Sequence, residues 1–495
     1  MIDQAAGSEL NNSEIMTIES KPGQSLLRTW LKFLLVVLPL PLIWSLANPM
    51  FASADEPTHM IRAQGIMHGD TASPYVTDGI PGNQISCMNF QWDVTANCMD
   101  LTWGTAGQVQ EAASTNNYPP LFHVIAGVPS LLFRGIVGAY AMRLWLTIIC
   151  SSLIAWAGTL LWMRRRNCWS LGGLVMGLTP MVVFVSATVN PSGLSTALAS
   201  LIWASGVNIT RPTAGTAHAA SRATFAVSLV LFPLLRRDSF GWEIMILFIV
   251  ATTLNRSRIT ELKKDRIVIS SILLSIVSMT WVWFSWSGSA TESFVGSGAE
   301  QNGGSIAAGF GSLYMKILEM TGWFGWLDSP MTDVSFVILI SLLALVLVVG
   351  ILGGKQVHAR TAGFTFLVLL LCPTLIGAVR YPYVQGRYLL PLWIGCMLIV
   401  GQALAESSLP EVFLKRLYKM CIGTMMTLQF FAFAQNLRRY SVGRTGSWKY
   451  FQHANWHPPM MSNLIALELA IFAIVLSMFG MYMVSRTESS YEASQ

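Results

Sequence analysis

The stretch Ala52-Ser-Ala-Asp-Glu-Pro-Thr-His-Met-Ile-Arg62 follows the first long apolar run of the chain and holds the first acidic residues after that run. Asp55 and Glu56 stand side by side where a membrane helix would end, with His59 and Arg62 close behind. Two carboxylates with basic groups nearby, at the edge of a bilayer, are a candidate active site. The side of the membrane on which they lie depends on the rest of the chain.

The composition is that of a membrane protein. Of the 495 residues, 53% are hydrophobic and only 11% are charged, and the mean hydropathy is +0.52. Soluble domains carry about 25% charged residues, and a spanning helix needs about 20 mostly apolar residues. The sequence therefore predicts an all-α polytopic membrane protein. The net charge of +6 does not indicate a nucleic-acid partner, because in a membrane protein the positions of Lys and Arg report orientation first. Membrane lipid is the expected surrounding.

The topology depends on the apolar segment 119–137, which opens with Tyr118-Pro119-Pro120. If this segment crossed the membrane, the next span, 140–163, would place Arg164-Arg165-Arg166 on the outer face, against the preference of basic residues for the cytoplasm. If the segment lies along the outer surface, the three arginines face the cytoplasm. We therefore interpret 119–137 as interfacial, with both termini in the cytoplasm and the Asp55 stretch outside.

The remaining apolar runs then alternate across the membrane and give about twelve spans. The predicted spans are 28–48, 140–163, 169–188, 192–209, 222–236, 240–254, 267–287, 332–352, 362–379, 388–405, 413–434 and 463–484. The division is a disordered cytoplasmic tail over 1–27, a membrane domain over 28–484 and a cytoplasmic tail over 485–495. The membrane domain includes a long first external loop with interfacial helices, 50–139, and a Gly/Ser-rich, flexible external loop, 288–331.

Two of the seven cysteines, Cys87 and Cys98, lie in the polar segment 50–118 without the CxxC spacing of a metal site. If the segment faces an oxidising compartment, these thiols can form a local disulfide. The sequence leaves the paired and the free state equally open.

Arginine dominates the basic residues of the predicted outer face, whereas the inner loops mix Lys and Arg. The guanidinium group binds phosphate through paired hydrogen bonds, while the ammonium group of Lys acts as a point charge. The set is therefore typical of a site for a lipid phosphate or diphosphate. Separate interfacial positions for each long side chain are the alternative. The outer arginines are Arg62, Arg134, Arg236, Arg237, Arg380, Arg387, Arg438, Arg439 and Arg444.

Two short loops concentrate these groups at the bilayer edge. Arg380-Tyr-Pro-Tyr-Val-Gln-Gly-Arg-Tyr388 joins two spans, and Arg236-Arg237-Asp238 forms a tight turn. Ionisable groups this close to hydrocarbon usually serve transport, catalysis or pairing, and an Arg237–Asp238 ion pair is the structural alternative. The predicted substrate-binding residues are His59, Arg62, Tyr118, Arg236, Arg237, Arg380, Tyr383, Gln385, Arg387 and Tyr388.

The spacing of Asp55, His59 and Arg62 is i, i+4, i+7, which places the three on one face of a helix. A helix cap at Asp55 with Pro57 in the first turn is the structural alternative, and a cap does not exclude catalysis. Asp55, Glu56 and His59 could also hold a divalent metal, Mg²⁺ or Mn²⁺. The chain has no GxxxxGK[ST], HExxH or GxSxG motif, so a nucleotide-driven pump and the known hydrolase patterns have no support.

Several short motifs, spread over nearly the whole chain, resemble an actinobacteria-rich family of uncharacterised polytopic membrane proteins, itself similar to the GT-C glycosyltransferases. Each motif is weak alone, and their order makes the resemblance specific. The motifs are Asp55-Glu56-Pro57-Thr58-His59, Tyr118-Pro119-Pro120-Leu121-Phe122, Leu178-Thr179-Pro180-Met181 with Asn190-Pro191-Ser192, Phe324-Gly325-Trp326-Leu327-Asp328, and Gln385-Gly386-Arg387-Tyr388-Leu389-Leu390-Pro391.

The resemblance implies a GT-C-like fold and an inverting glycosyltransferase of the bacterial plasma membrane. GT-C enzymes transfer sugars from polyprenyl-phosphate donors on the outer face, here to a glycan or lipid acceptor of the cell envelope. Their acidic pair in the first external loop matches Asp55 and Glu56. One departure is Asn190, where relatives often have Asp, so no carboxylate role carries over to that position.

Within such a reaction, Asp55 would be the general base, and Glu56 would support it or bind metal. Arg387, Arg380 and Arg237 would bind the donor phosphate.

Two other functions would use the same features. A lipid-linked-saccharide transporter or flippase would need intramembrane polar residues besides the outer arginines, and Glu243 and Glu468 are nearly the only acidic candidates within spans. A non-catalytic assembly partner of an envelope enzyme would fit if the acidic pair were only a helix cap.

Overall fold

The computed structural model describes residues 26–81, 87–112, 115, 118–210, 216–286, 306–379 and 385–492. This part of the chain folds into eighteen α-helices and four short strands. The helices are α1 (Leu26–Val37), α2 (Pro39–Ala47), α3 (Glu56–Met67), α4 (Leu121–Gly127), α5 (Gly135–Arg164), α6 (Cys168–Gly177), α7 (Pro180–Ser186), α8 (Pro191–Ile209), α9 (Thr216–Leu231), α10 (Ser239–Ala251), α11 (Arg256–Leu262), α12 (Arg266–Trp286), α13 (Ile306–Gly322), α14 (Asp333–Gly353), α15 (Gln356–Val379), α16 (Leu390–Ala405), α17 (Glu411–Val442) and α18 (Asn463–Glu492). The strands pair antiparallel as β1 (Tyr75–Thr77) with β2 (Gln108–Gln110) and as β3 (Trp323–Phe324) with β4 (Ser329–Pro330).

Seven helices of the described ranges are long and apolar enough to cross a membrane. They are α5, α9, α12, α14, α16, α17 and α18, where α9 and α16 each include an adjoining 3-10 turn. The bent pairs α1–α2 and α6–α7 bring the number to nine if each is one broken span. The predicted all-α, multi-pass architecture is confirmed, but the predicted count of about twelve spans is not.

The difference in span count has a physical cause. α10 and the apolar part of α15 (Gln356–Cys372) are shorter than the roughly 20 residues that cross a bilayer. α8 has 19 residues, but it is rich in Ser and Gly and every one of its residues is buried. A helix enclosed by protein does not have to be as apolar as one that faces lipid.

Proline marks both bends. Pro39 begins α2, and α1 and α2 meet at 40°. Thr179 caps α7 by accepting a hydrogen bond from the Val182 amide at 3.4 Å, Pro180 opens that helix, and α6 and α7 meet at 73°. Because Pro lacks the amide proton that would continue a preceding helix, the proline at each break accounts for the bend.

α16 lies at the centre of the molecule, with all of its residues buried. It packs against α6 and α8, and the contact with α6 is backbone to backbone. A Cβ on Gly401 would lie 2.6 Å from the Gly173 Cα atom, so only glycine fits at this crossing. Helix α16 is therefore fixed firmly relative to α6.

The predicted external segment 50–139 contains α3, the β1–β2 pair and α4. After α4 the chain makes a 3-10 turn, Val128–Leu131, and enters α5 at Gly135. The segment 119–137 thus forms no helix long enough to span, in agreement with the interfacial interpretation.

The predicted flexible loop 288–331 is wrong over 306–330, where the chain forms α13 and the β3–β4 hairpin. Leu318 and Met320 of α13 are buried, and the helix packs on α15 and α7. These contacts are long-range, so local composition does not reveal them. Residues 287–305 and 1–25 lie outside the described residues, and α18 continues to Glu492, through much of the predicted tail 485–495.

Candidate active site

Asp55 precedes α3 in a left-handed backbone conformation, with φ of 65°. This conformation is unfavourable for residues other than glycine, although Asp tolerates it better than most. Hydrogen bonds hold the preceding peptide: the Ala54 amide donates to the Gly325 carbonyl at 3.3 Å, and Asn190 Nδ2 donates to the Ala54 carbonyl at 3.2 Å. The Asp55 side chain makes no capping hydrogen bond to α3, so a cap does not account for this carboxylate.

Asp55 forms an ion pair with Arg387, whose Nη2 atom lies 2.8 Å from Asp55 Oδ2. Arg387 belongs to the 3-10 turn Gly386–Leu389 at the start of α16, and its side chain is 6% exposed, against 40% for that of Asp55. Burial raises the pKa of the Asp55 carboxyl, but the Arg387 guanidinium and, after it, His59 lower that pKa more, so it lies below the ordinary 3.8. The result is an ionised, accessible carboxylate against a buried guanidinium.

Arg236 supplies a second buried guanidinium. Its Nε and Nη2 atoms bind the two Asp238 oxygens at 2.8 and 3.1 Å, and Nη1 donates to Ser192 Oγ at 2.8 Å. The guanidinium carbon lies 4.3 Å from the ring centre of Tyr388 and 5.8 Å from that of Tyr118, within the range of cation–π attraction. Burial lowers the pKa of Arg236, but Asp238 and the two tyrosines raise it more, and the group stays charged.

A narrow, closely packed cleft lies between the two arginines and has no space for a water molecule, so a ligand can enter only if its side chains move. Its walls are Ser192, Ser195, Arg236, Asp238, Trp242, Arg387, Tyr388 and Pro391. The Nε atom of Arg387 is buried and has no hydrogen-bond partner among the described residues. A buried guanidinium N–H without an acceptor is a group that an anionic oxygen would satisfy.

An apolar groove with a cavity volume of about 110 Å³ opens beside this cleft. Side chains of α13, α14, α15 and α16 line it, among them Ile317, Met320, Leu343, Phe366 and Trp393. Leu389, from the turn that carries Arg387, also lines the groove, and so does Lys316. Glu319 Oε2 accepts a hydrogen bond from the Gly386 amide at 2.6 Å, which joins α13 to that turn. The groove therefore reaches the charged site.

Glu56 does not share this site. Both of its carboxylate oxygens bind Arg143, at 2.7 Å to Nε and 2.5 Å to Nη2, and both side chains are fully buried. The Val189 amide also donates to Glu56 Oε1 at 2.9 Å, and Arg143 donates to the carbonyls of Asn48 and Pro49. With all its acceptors occupied, Glu56 is in no position for the predicted catalytic or metal-binding role.

His59 and Arg62, predicted to share a helix face with Asp55, lie buried behind it. His59 Nδ1 lies 3.1 Å from His123 Nε2, and burial, outweighing the attraction of Asp55, lowers the pKa of His59 to about 3. Arg62 donates to two backbone carbonyls of the segment before α4. The two side chains thus hold the external segment together and do not face the cleft.

The structure does not bring Asp55, Glu56 and His59 together as ligands of the predicted metal ion. Within the ranges that the structure describes, no three His, Cys, Asp or Glu side chains are grouped so that they could hold an ion. Glu56 is bound to Arg143 and His59 faces His123, which leaves Asp55 alone of the three predicted ligands.

The other predicted residues divide into two groups. Tyr118 and Tyr388 lie on either side of Arg236, and Gln385 caps the turn of Arg387 with its Oε1 atom buried and without a partner among the described residues. Arg237 is half-buried and forms no ion pair or hydrogen bond with another described residue. Arg380 and Tyr383 lie outside the described residues.

The sequence patterns did not identify Ser192, Lys316 or Glu319 beside the candidate site, nor Arg143 as the partner of Glu56. The sequence could have indicated an ion pair at Arg143, because this residue lies inside the predicted span 140–163, where a charged side chain is costly and usually paired. Lys316 and Glu319 fell in a segment predicted to be flexible. Nothing in the local sequence marks Ser192 beyond its place after Asn190-Pro191.

Arg439, one of the remaining outer arginines of the C-terminal part, holds the loop 87–98. Arg439 Nη2 lies 3.0 Å from Asp328 Oδ2, both side chains being 1% exposed, and Arg439 donates to the carbonyls of Met88, Gln91 and Val94 at 2.8–3.0 Å. Cys87 and Cys98 close the loop with a disulfide, the paired one of the two states that the sequence left open.

Solved structures and one protein family match this chain. The crystal structure of ArnT from Cupriavidus metallidurans bound to undecaprenyl phosphate aligns at 13% identity and a TM-score of 0.45, covering 94% of this chain and 78% of ArnT. The apo state of the same protein aligns at 12% identity and a TM-score of 0.46, covering 93% and 78%. No curated protein matches. A family model described as "Predicted membrane protein (DUF2142)" matches residues 38–396, which is most of the chain. The protein therefore belongs to the DUF2142 family of predicted membrane proteins.

Proposed function

We propose that the protein is an inverting membrane glycosyltransferase that moves a sugar from a polyprenyl-phosphate donor to a glycan or lipid acceptor of the cell envelope. The observation that carries this proposal is the ion pair of Asp55 and Arg387 next to an apolar groove. An accessible carboxylate, two buried guanidinium groups and an adjoining apolar groove are parts that this reaction requires.

The groove supports a lipid-linked donor. Its lining is almost entirely apolar, so an isoprenoid chain would bury its surface there, while the phosphate would lie at the charged end. Arg387 and Arg236 bind that phosphate in the proposal, since guanidinium groups make paired, charge-assisted hydrogen bonds to phosphate oxygens. The unmatched Arg387 Nε atom provides one such donor.

Asp55 is the general base. It takes the proton of the acceptor hydroxyl while that oxygen forms a bond to the anomeric carbon of the donor sugar. The bond between the anomeric carbon and the phosphate oxygen breaks, and the lipid phosphate leaves with the electron pair. Once Asp55 is protonated, its attraction for Arg387 is lost, and the guanidinium can neutralise the charge that develops on the phosphate.

The proposed location is the outer face of the bacterial plasma membrane, with both termini in the cytoplasm. α16 begins beside Arg387 and ends near Glu406, which lies 3.2 Å from Arg164 at the last turn of α5. Arg165, Lys355 and His358 approach the same carboxylate. This basic cluster lies at the opposite end of α16 from the candidate site, and basic residues favour the cytoplasmic side.

Asp55→Asn is expected to reduce sugar transfer by about 10²–10⁴-fold, because the amide cannot accept the proton. The measurement is transfer by the purified protein in lipid nanodiscs from a panel of radiolabelled polyprenyl-phosphate sugars. Asp100→Asn, an exposed acid of the same external segment, is the matched control and should keep full activity.

Full transfer by folded Asp55→Asn protein would refute the assignment of the base. Movement of the labelled lipid between leaflets without transfer would favour the flippase alternative. Neither transfer nor movement with any donor would favour the non-catalytic assembly partner.

A further inference from the structure

We infer that Phe90 and the disulfide-closed loop around it form a binding site for a sugar ring of a saccharide, separate from the donor site. The role of this saccharide rests on the proposed function. There it is the acceptor of the transferred sugar, and the acceptor is therefore a glycan. The binding itself is measurable without turnover.

The first observation is the conformation of Phe90. Its φ is 59°, and its side chain is 62% exposed. A left-handed backbone is strained for a bulky residue, and an exposed ring gains little from burial that would offset the strain. Such a residue persists only when its surroundings impose the conformation, and strained residues of this kind cluster at functional sites.

The second observation is how rigidly the loop is held. Arg439 donates to the carbonyls of Met88 and Gln91, on either side of Phe90, and the disulfide closes the loop at its ends. The loop is also tied to the end of α17, where Asp93 Oδ1 accepts hydrogen bonds from the Thr445 amide and hydroxyl, both at 3.0 Å. The buried Arg439 thus fixes the backbone on both sides of Phe90, whose ring is exposed.

The third observation is the position of Phe90 relative to Asp55. The Phe90 ring packs edge-on against Trp326, with centroids 6.1 Å apart, and Trp326 Nε1 donates to the Phe51 carbonyl at 3.1 Å. The residue before Trp326, Gly325, accepts the hydrogen bond from the Ala54 amide. Phe90 therefore lies one aromatic side chain away from the backbone that carries Asp55.

The surroundings of Phe90 favour a saccharide over lipid. Gln91 and Asp93 near it are exposed, and so is Trp92 between them, whose ring centroid lies 4.7 Å from the guanidinium carbon of Arg444. The buried Oδ1 atom of Asn89 has no hydrogen-bond partner among the described residues. An aromatic face with polar groups at its edge matches a sugar ring, which presents C–H groups on its faces and hydroxyls at its rim. Phe133 offers a contrast, because the exposed residues before it are Leu131 and Leu132, as expected of a surface that faces lipid.

The experiment is equilibrium binding of fluorescently labelled neutral oligosaccharides, one pyranose series and one furanose series, to the full-length protein in nanodiscs. At least one series should bind the wild-type protein, and Phe90→Ala should weaken that binding about tenfold. Phe90→Trp should retain binding, and Phe90→Leu should not, because Leu keeps apolar bulk without an aromatic face. Phe133→Ala is the matched control and should bind as the wild type does.

Saccharide binding is measured without a donor, which separates this inference from the proposed function. If the wild type transfers sugar and Phe90→Ala weakens saccharide binding, both hold; if the protein transfers no sugar but Phe90 still governs binding, only the proposed function fails. The inference is overturned if neither series binds the wild type, or if Phe90→Ala and Phe90→Leu bind with wild-type affinity.

Discussion

Asp55 and Glu56 are adjacent in the chain, each binds an arginine, and the two pairs differ in almost every other respect. The Glu56–Arg143 pair is fully buried and surrounded by backbone donors and acceptors. The Asp55–Arg387 pair leaves its carboxylate 40% exposed and one guanidinium N–H without a described partner. The closed pair can only hold α2, α3 and α5 together, whereas the open pair can exchange its partners for a substrate. Two adjacent acidic residues are therefore not evidence of a catalytic pair, because at the start of a helix their side chains can point in different directions.

The largest expected effect on stability comes from breaking the closed pair. Glu56→Gln should lower the free energy of unfolding by about 3–5 kcal/mol, because Arg143 would remain buried without a counter-charge. Asp55→Asn is the matched comparison and should lower that free energy less, because the Asp55 carboxylate is 40% exposed and partly screened by water, although Arg387 is buried. Thermal unfolding of both variants in the same detergent measures the difference. Equal losses would contradict the distinction between the two pairs.

The open pair should be visible in the pH dependence of transfer. Because the pKa of Asp55 lies below 3.8, the base stays ionised at neutral pH, and the stability that its ionised form contributes is lost only as the pH falls through that lowered pKa. Arg387→Gln removes the cation but keeps the burial, so the pKa of Asp55 should rise and the acidic limb of the residual activity should move to higher pH.

The measurement is the pH profile of transfer for the wild type and Arg387→Gln, at saturating donor. Asp238→Asn, which acts on the other arginine, should shift that limb less. An acidic limb at the same pH in the wild type and Arg387→Gln would show that Arg387 does not set the charge of Asp55.

The smallest expected effect concerns the strained loop beside the open pair. Phe90→Gly should be more stable than Phe90→Ala by about 1 kcal/mol, because glycine adopts a φ of 59° without strain and alanine does not. Thermal unfolding of the two variants tests this, with Phe133→Gly and Phe133→Ala as the control, for which glycine should bring no such gain. An alanine variant at position 90 as stable as the glycine variant would mean that the loop is not held in that conformation.

Much of the fold was predictable because it depends on local patterns. Apolar runs of the right length predicted the long helices, and the charges of Arg164-Arg165-Arg166 favoured an interfacial position for 119–137. The predicted span 192–209 coincides with helix α8, whose Ser and Gly residues make it less apolar than a helix that faces lipid. The prediction missed helix α13, because its order comes from packing on α15 and α7.

The candidate site was predictable only in part. The residue types that bind phosphate pointed to Arg387 and Arg236, and the opening stretch pointed to Asp55. The partner of Glu56 was not predictable, because Arg143 lies 87 residues further along the chain and only the fold brings the two together. The same holds for Asn190, whose amide reaches the Ala54 carbonyl across 136 residues.

The Cys87–Cys98 bridge has a practical consequence for handling the protein. The loop that presents Phe90 is closed by this bond, while Asp55, Arg387 and Arg236 are held by contacts that contain no sulfur. Preparations made with thiol reductants, or expressed without an oxidative folding machinery, would keep the charged cleft and loosen the neighbouring aromatic surface. Purification without reductant, with a free-thiol titration of each batch, is therefore the appropriate starting point for biochemical work.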